Sequence, residues 1–474
     1  MPFSRSRTQR AMVVASLVIA ENCLFSSVCL HPARGQQAPS AASDESTAAT
    51  EMKLREQVTK QPDNAQAISS LAEFLLARQD YAGALATLQA GLKRLPKHPA
   101  LTYQLGIAYY RNGQISEGVT SLYQAIEFDP KFTDARIDLG AILLDQGRLM
   151  EASEVYGGRV RLFPDDANAH NDLGVVLTRL GSTSEAKREF AEAVRLEPEH
   201  ADGHYNLGLA LAQEGAQQVA MEEFRTAIKL KPVYADAYFQ LGRVLASSGR
   251  AEEAIVQFDE ALRQRPNYGE AHYQAGQVLL SLGKAKEAAA RFTEALRLSP
   301  ASVHARYAMG DALLRQGKPS VAAAQFRETL RLRPGHAEAN YKLGMILSSQ
   351  GKFDEAAACY REALANRPDW PDAENNLAWL LATHPNDQSR RPEEAERLAA
   401  AAVVAAKAKI PLLLDSLAAA QAANGNFPAA VATAEEAVAA AQAVDDSELA
   451  SQIAGRLKLY QAGQPYLEKP TKSR

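Results

Sequence analysis

Ten prolines fall 34 residues apart without a slip: Pro62, Pro96, Pro130, Pro164, Pro198, Pro232, Pro266, Pro300, Pro334 and Pro368. Such a ruler marks one short element copied in tandem, and copies that stack bury together a core that none could bury alone. Length alone, 474 residues, suggests about three globular domains. The repeat overrides that count.

Nine and ten residues after the proline stand Leu105-Gly106, Leu139-Gly140, Leu173-Gly174, Leu207-Gly208, Leu241-Gly242 and Leu343-Gly344, with Ala275-Gly276 and Met309-Gly310 as variants. Seventeen residues after it comes a second glycine, in Gly113, Gly147, Gly181, Gly215, Gly249, Gly283, Gly317 and Gly351. A helix ends at such a glycine and the chain turns, so each repeat is predicted to be two helices. Five residues past the turn comes alanine (Ala152, Ala186, Ala220, Ala254, Ala288, Ala322, Ala356), and four further an aromatic (Tyr156, Phe190, Phe224, Phe258, Phe292, Phe326, Tyr360). One helical turn apart, the two share a face, and small beside large in fixed columns is a packing code. The proline then ends the second helix and pushes its predecessor out of helical geometry.

This Leu-Gly, Gly, Ala, Phe/Tyr, Ala, Pro series resembles the tetratricopeptide repeat. The resemblance covers roughly residues 48 to 461 and implies an all-α, right-handed α-solenoid, a superhelix of stacked antiparallel helix pairs with a 34-residue period. Departures are local. Gly118 replaces an alanine, Arg159 and Thr329 stand in a second alanine column, and Leu88 and Leu122 replace the aromatic. After Asn376-Leu377 the spacing changes, because Thr383 to Pro392 lengthens the turn by five residues before Glu394-Ala395 resumes the pattern. A further repeat carries Leu417, Gly425, Phe427 and Ala430 in register, giving about eleven repeats. Met52 to Lys60 reads as a lone second helix before them. Ser447 to Gln461 reads as an end helix whose Leu449, Ile453, Leu457 and Tyr460 pack backward.

Residues 51–462 are thus the expected solenoid, and the ends read differently. Arg5, Arg7 and Arg10 precede the apolar run Ala11 to Ala20, and a second run, Cys23 to Leu30, leads to Ala33-Arg34-Gly35. A basic start, an apolar middle and a small-x-small site describe a secretory signal peptide over 1–35, cleaved after Gly35. The rival reading is an uncleaved membrane anchor, against which Glu21-Asn22 interrupts the run. Met12 as the start would remove the three arginines. Residues 36–50, rich in Ala, Ser and Gln, read as a flexible linker and 463–474 as a disordered tail. The expected location is exported, periplasmic or secreted, or cytoplasmic if the N-terminal segment is not a signal. No stretch of the array has some 18 uninterrupted apolar residues, so nothing in it is expected to span a membrane.

Of 52 basic and 56 acidic residues, cleavage removes four arginines and one glutamate, leaving 48 against 55. That acidic balance argues against nucleic acid or anionic lipid as the main partner. Cys359 alone of three cysteines stays, so stability is expected from stacking rather than from disulfides.

Three features could carry chemistry: a histidine column, a lone cysteine and a glutamate column. His170, His204 and His272 stand six residues after the proline. Helices of successive repeats lie about 10 Å apart, whereas ligands of one ion sit about 3 Å from each other, so a shared metal is not expected. Cys359 precedes the packing residue Tyr360 on a helix without histidine and reads as an ordinary thiol. Glu151, Glu185, Glu253, Glu287 and Glu355 recur where second helices begin and favour the helix dipole. Glu192 with Arg195, Glu260 with Arg263, Glu294 with Arg297 and Glu328 with Arg331 form helix-surface pairs. No phosphate loop or nucleotide-binding glycine cluster is present, and the resemblance to the repeat arms of O-GlcNAc transferases stops where a transferase domain would begin. No catalytic residue, cofactor or metal is expected, and the chain is read as not an enzyme.

The resemblance implies that first helices line the binding groove. Two columns stand out there. Seven residues after the proline are Tyr103, Tyr205, Phe239, Tyr273, Tyr307 and Tyr341; four after it are Asp134, Asp202, Asp236, Glu270, Glu338 and Asp372. Three residues apart, they share a face. Rings flanked by carboxylates suit a protein or extended peptide carrying basic and apolar residues, with Tyr205, Phe239, Tyr273, Tyr307, Tyr341, Asp202, Asp236 and Glu270 as the candidate contacts. Asn206 and Asn376 form a broken version of the transferases' asparagine ladder. Asn171, Arg243 and Lys342 do not reproduce the carboxylate clamp of the family's chaperone-binding members. The expected function is a non-catalytic scaffold, probing a protein or peptide through this groove in the cell envelope; the alternative is a recruiting arm for a separate enzyme of glycosyl transfer or envelope polysaccharide assembly.

Overall fold

Where the turn glycines stand, the chain does turn. Gly181 and Gly283 both adopt φ of +79°, in the left-handed region that a side chain disfavours, and each ends a first helix. In the computed structural model, which describes residues 44–468, all regular structure among the described residues is helical: 24 helices, the number expected of eleven pairs with one helix at each end. First helices run 13 residues and second helices 14 up to Phe353–Asn366, as in Ala167–Arg179 followed by Thr183–Leu196, and the last two second helices lengthen to 15 and 17. The second helix ends two residues short of its proline: Leu196 is last and Glu197 closes it with an N–H donated to the Ala193 carbonyl.

The described helices form two compact bodies, one ending at Arg250 and one beginning at Ala251. In the first, twelve helices run from Asp44–Lys60 to Ala235–Ser247. Ala152, Ala186 and Ala220 are wholly buried, and Tyr156, Phe190 and Phe224 fill the space beside them. A β-carbon built on Gly174 would lie 2.6 Å from the Phe190 ring, and one on Gly208 would lie 2.8 Å from Phe224. The glycine of the Leu-Gly pair therefore exists to let the aromatic of the second helix lie flat against the backbone of the first.

The second body runs from Ala251–Gln264 to Ser447–Gln461 and repeats the device, with Phe292 over Gly276, Phe326 over Gly310 and Tyr360 over Gly344. Its core is continuous through the irregular turn, because Thr383, Ala395, Leu398 and Ala399 are buried with Leu377 and Leu381. That turn spans 384–391 between helices Pro371–Thr383 and Pro392–Ala406 and is closed by Arg391 N–H on the Leu381 carbonyl. The end helix buries Ile453 and Tyr460, while Leu449 and Leu457 pack partly.

Two boundaries differ from expectation. The first helix starts at Asp44, inside the expected linker, where Glu51 bonds both Arg55 one turn on and Arg78 of the next helix. Residues 464–468, expected to be disordered, are tied to the second body as described below. The signal-peptide region, the linker up to residue 43 and residues 469–474 lie outside the described residues. No described helix is long and apolar enough to cross a membrane.

Candidate functional site

The acidic column lies in the first turn of the first helices, where carboxylates favour the dipole. In the first body Asp134 and Asp202 are exposed and Asp236 is half-buried. Lys231 reaches Asp202 at 3.4 Å and stacks its ammonium 4.4 Å from the Tyr234 ring. In the second body Glu270 accepts a bond from Gln274 Nε2 (2.8 Å), and Glu338 pairs with Arg367 at 3.6 Å, whose guanidinium lies 4.6 Å from the Trp370 ring. Asp134 and Asp372 make no ion pair among the described residues. The combination of carboxylate, ring and cation expected of a bound partner is thus already made twice by the chain itself. The residue before the proline supplies the cation, and the residue two after it supplies the ring.

This ring, two residues past the proline, was not singled out in the sequence. It covers the candidate aromatic of the preceding repeat: Phe132 on Tyr103 (5.1 Å), Tyr234 on Tyr205 (5.0 Å), His336 on Tyr307 (4.9 Å) and Trp370 on Tyr341 (4.5 Å). From below, Phe224, Phe292, Phe326 and Tyr360 contact Tyr205, Tyr273, Tyr307 and Tyr341 at 5.7–6.1 Å. Tyr205 and Phe239 are buried, at 8% and 5% exposure, and Tyr273, Tyr307 and Tyr341 are half-buried. Tyr205, Tyr307 and Tyr341, flanked by rings on both sides, leave a ligand edges rather than faces, whereas the position that would cover Tyr273 holds the capping Ser302. Of the ten positions two residues past the proline, six hold Asn, Asp, His or Ser, which cap the helix as Asn64, Asp166, His200 and Ser302 do, and four hold aromatics; His336 both caps its helix and covers Tyr307, and no periodicity announces the position.

Three hydroxyls of the candidate aromatic column are engaged. Tyr103 donates to Asp138 (2.6 Å), Tyr341 accepts from Asn376 (3.3 Å) and Tyr273 accepts from Gln277 (2.7 Å). Burial, with Asp372 nearby, pushes the Tyr341 hydroxyl up to about 12. In the ladder column Asn206 donates to Asn171 at 2.8 Å.

A second constellation lies on the first-helix side of the last repeats. Gly463 turns the chain back at φ +69°, and the segment after it runs against helix Pro371–Thr383. Glu468 donates its N–H to the Thr383 carbonyl (2.7 Å), and its carboxylate accepts from the Trp379 indole (3.2 Å). The Tyr466 ring stands 5.8 Å from that of Trp379. The Arg456 guanidinium lies 5.3 Å and 5.6 Å from the two rings and donates through Nε and Nη2 to Asp415 at 2.9 and 2.6 Å. Asp415 is 3% exposed, and burial raises its carboxyl against the opposing pull of Arg456. None of Trp379, Arg456, Tyr466 and Glu468 belongs to a repeating column, so none stands out in the sequence.

The histidine column is committed to structure. His170 and His204 each place Nε2 on the carbonyl of the proline six residues earlier, at 2.9 and 3.0 Å, and His272 does so at 3.0 Å. No group of three or more His, Cys, Asp or Glu among the described residues is arranged to hold a metal. Cys359 is half-buried, and burial raises its thiol above the ordinary range.

Paired helices in fixed register, with side chains set by column rather than by a pocket, define an α-helical repeat scaffold. The tetratricopeptide repeat model matches residues 103–157, 137–186, 179–235, 218–269, 239–303, 273–337, 307–371 and 341–409, and related models of the same repeat match 75–122 and 411–436. The chain belongs to the tetratricopeptide repeat family and is a scaffold for protein–protein interaction. No curated protein matches it. Among solved structures it is similar to YrrB, "a TPR protein with an unusual peptide-binding site" (27% identity, 39% of this chain and 95% of that one, TM-score 0.36). Others are yeast Tom70 (19% identity, 84% and 96%, TM-score 0.32) and the C-terminal part of a TPR repeat-containing protein from Cytophaga hutchinsonii (18% identity, 50% and 98%, TM-score 0.42).

Proposed function

We propose that this chain is a non-catalytic scaffold that holds a partner protein as an extended segment along the side formed by its first helices. One observation carries the reading: the chain's own residues 466–468 lie extended on that side, bonded through both backbone and side chain to Thr383 and Trp379. Main-chain bonds supply affinity in such recognition and neighbouring side chains supply selectivity. On the first helices of the first body Asp134 is open to basic residues of a partner; on those of the second body Glu270 and Asp372 are open to them, while Tyr273, Tyr307 and Tyr341 offer their rings to apolar ones. Tyr205 and Phe239 support the floor beneath Asp202 and Asp236. The basic and apolar runs within residues 1–35 support export, so the partner is sought in the cell envelope.

A photo-crosslinking amino acid placed at Asn206 or Gln274, on first helices, and at Arg225 or Arg327, on second helices, tests this in the source cells. Cross-links to one protein from the first pair alone are expected. The same adduct from the second pair alone overturns the assignment of the binding side. N-terminal sequencing of the mature chain tests export; an intact Met1 in the cytoplasm would sink it.

A further inference from the structure

The break in the proline ruler and the ordered tail meet at one place. In regular repeats the turn glycine closes the first helix on itself: after helix Ala337–Ser349, Gly351 donates to the Ser348 carbonyl and Lys352 to that of Leu347. At Thr383 the lengthened turn carries no glycine, and His384 leaves helical geometry at ψ 129°. The last carbonyls of a helix have no partner within it. Here the Thr383 carbonyl is taken by the N–H of Glu468, from a segment 85 residues further along the chain than Thr383 itself.

Around that acceptor the side chains form a small built site. Trp379, eleven residues after Pro368, presents a ring and an indole N–H. Arg456 is fixed by its two bonds to buried Asp415, so its guanidinium is a rigid plate rather than a swinging side chain. Tyr466 packs beside Trp379 with that plate across both rings, and Glu468 fills the indole donor. An aromatic residue and a carboxylate two positions later are what these groups select.

We infer that this is a receptor site for an extended protein segment of the form aromatic-x-acid, that Tyr466-Leu467-Glu468 is its resident occupant, and that a partner binds by displacing the tail. This rests on the proposed function and adds to it the chemistry of one segment and its regulation. The tail is suited to displacement. Its hold consists of one main-chain bond, one indole bond, one ring contact and the Arg456 guanidinium against the Tyr466 ring, and Gln464, Pro465 and Leu467 are exposed. It stays because a short tether gives it an effective concentration of about millimolar, not because its contacts are many.

The test uses the full chain and a fluorescent peptide copying residues 461–474. Releasing the tail with Tyr466→Ala and Glu468→Ala in the full chain is expected to tighten binding of that peptide about tenfold or more, by removing the tethered competitor. Within the released chain, Trp379→Ala abolishes the gain, and peptides with Ala for the tyrosine or Gln for the glutamate bind at least about tenfold more weakly. Trp379→Phe, which keeps a ring but loses the donor, guards against misfolding: it should lose the preference for Glu over Gln and keep the preference for an aromatic. Equal affinity of the peptide for the wild-type and released chains overturns the proposal. So does a concentration-dependent dimer of the wild-type chain that is lost on tail release, since the occupant would then be a second copy. If the peptide fails here while first-helix cross-links persist at Asn206, the scaffold reading stands and only this site falls.

Discussion

His170 Nε2 lies 2.9 Å from the carbonyl oxygen of Pro164, and the same bond recurs in five other repeats with different residues in the column. Arg136 reaches Pro130, His204 reaches Pro198, His272 reaches Pro266, Arg306 reaches Pro300 and Asn340 reaches Pro334, all within 2.7–3.2 Å. Three different shapes, His, Arg and Asn, share one property, an N–H at the right reach. The carbonyl they satisfy sits just beyond a helix end, where no intrahelical donor remains. The column is therefore a clasp between each inter-repeat loop and the helix that follows.

Loss of the clasp has a cost set by the stranded acceptor. His204→Ala should lower stability by about 0.5–1.5 kcal/mol, the net worth of a hydrogen bond whose acceptor, on exposed Pro198, water can reach, with the Nδ1 contact to Glu223 lost as well. His204→Asn should restore much of it, because Asn340 makes this bond natively. Urea midpoints of the three proteins check the order; an alanine variant as stable as wild type would contradict it.

Filling a Leu-Gly position attacks the other end of the packing code. A β-carbon on Gly276 would sit 2.5 Å from the Phe292 ring, which is wholly buried and has nowhere to move. Gly276→Ala should cost about 1–3 kcal/mol by overpacking. Combining it with Phe292→Leu should cost less than the two separate losses added together, since Leu122 already serves opposite Gly106. Strict additivity in denaturation experiments would show that the ring is not the obstacle.

Those two columns also show why the fold could be read from the sequence and the site could not. Pro, Gly, Ala and Phe recur because each solves a backbone problem with one answer, so repetition makes them visible. The position two residues past the proline has two answers, a helix cap or a covering ring, and its alternation between Asp166 or His200 and Tyr234 or Trp370 erases the period. Tyr205 and Phe239 are expected on the groove face, yet both are buried, and for Tyr205 that burial depends on Tyr234 from the next loop. Trp379, Arg456 and Tyr466 come together only because the final helix folds back, which no local spacing encodes.

If acidic residues of the first-helix side draw basic segments, the exposed members without an ion pair should matter most. Changing Asp134 and Asp372 to asparagine should weaken capture of the partner identified by cross-linking, with salt sensitivity falling in step. Changing Asp202, already held by Lys231, should do less. Stability should move by under about 1 kcal/mol in each case, as for exposed pairs generally. A larger effect on binding from Asp202→Asn would reverse the assignment.

The thiol of Cys359 is predicted to be sluggish. Burial disfavours its thiolate and raises its pKa, with Glu355 adding to the effect, so less of the reactive form exists at neutral pH than in a free cysteine. Labelling by a maleimide or disulfide reagent at pH 7.5 should run at least about tenfold slower than with free cysteine and should reach that rate in denaturant. Native-state labelling as fast as the free amino acid would mean that the helix carrying it opens readily.

Arg159, standing where other repeats hold alanine, gives the chain its one departure with a pH signature. Its guanidinium, 5% exposed, bonds Asp172 at 2.6 Å and Asp166 at 2.7 Å, so a single positive charge serves two carboxylates. Burial pushes Asp172 up to about 6, Arg159 opposing this and Asp166 adding to it. Its unfolded value is near 3.9, so the folded state binds the proton more tightly. The stabilisation from Asp172 is therefore fully present below about pH 4 and is lost as pH rises through about 6. Asp172→Asn cannot titrate. The stability of wild type relative to this variant should fall by roughly 2 kcal/mol between pH 4 and pH 7, after allowance for the partial exposure of the carboxylate. Denaturation midpoints at the two pH values measure it directly. A constant difference would mean that Arg159 keeps Asp172 ionised throughout, and a growing advantage for wild type at pH 7 would place the carboxylate below its unfolded value, reversing the sign.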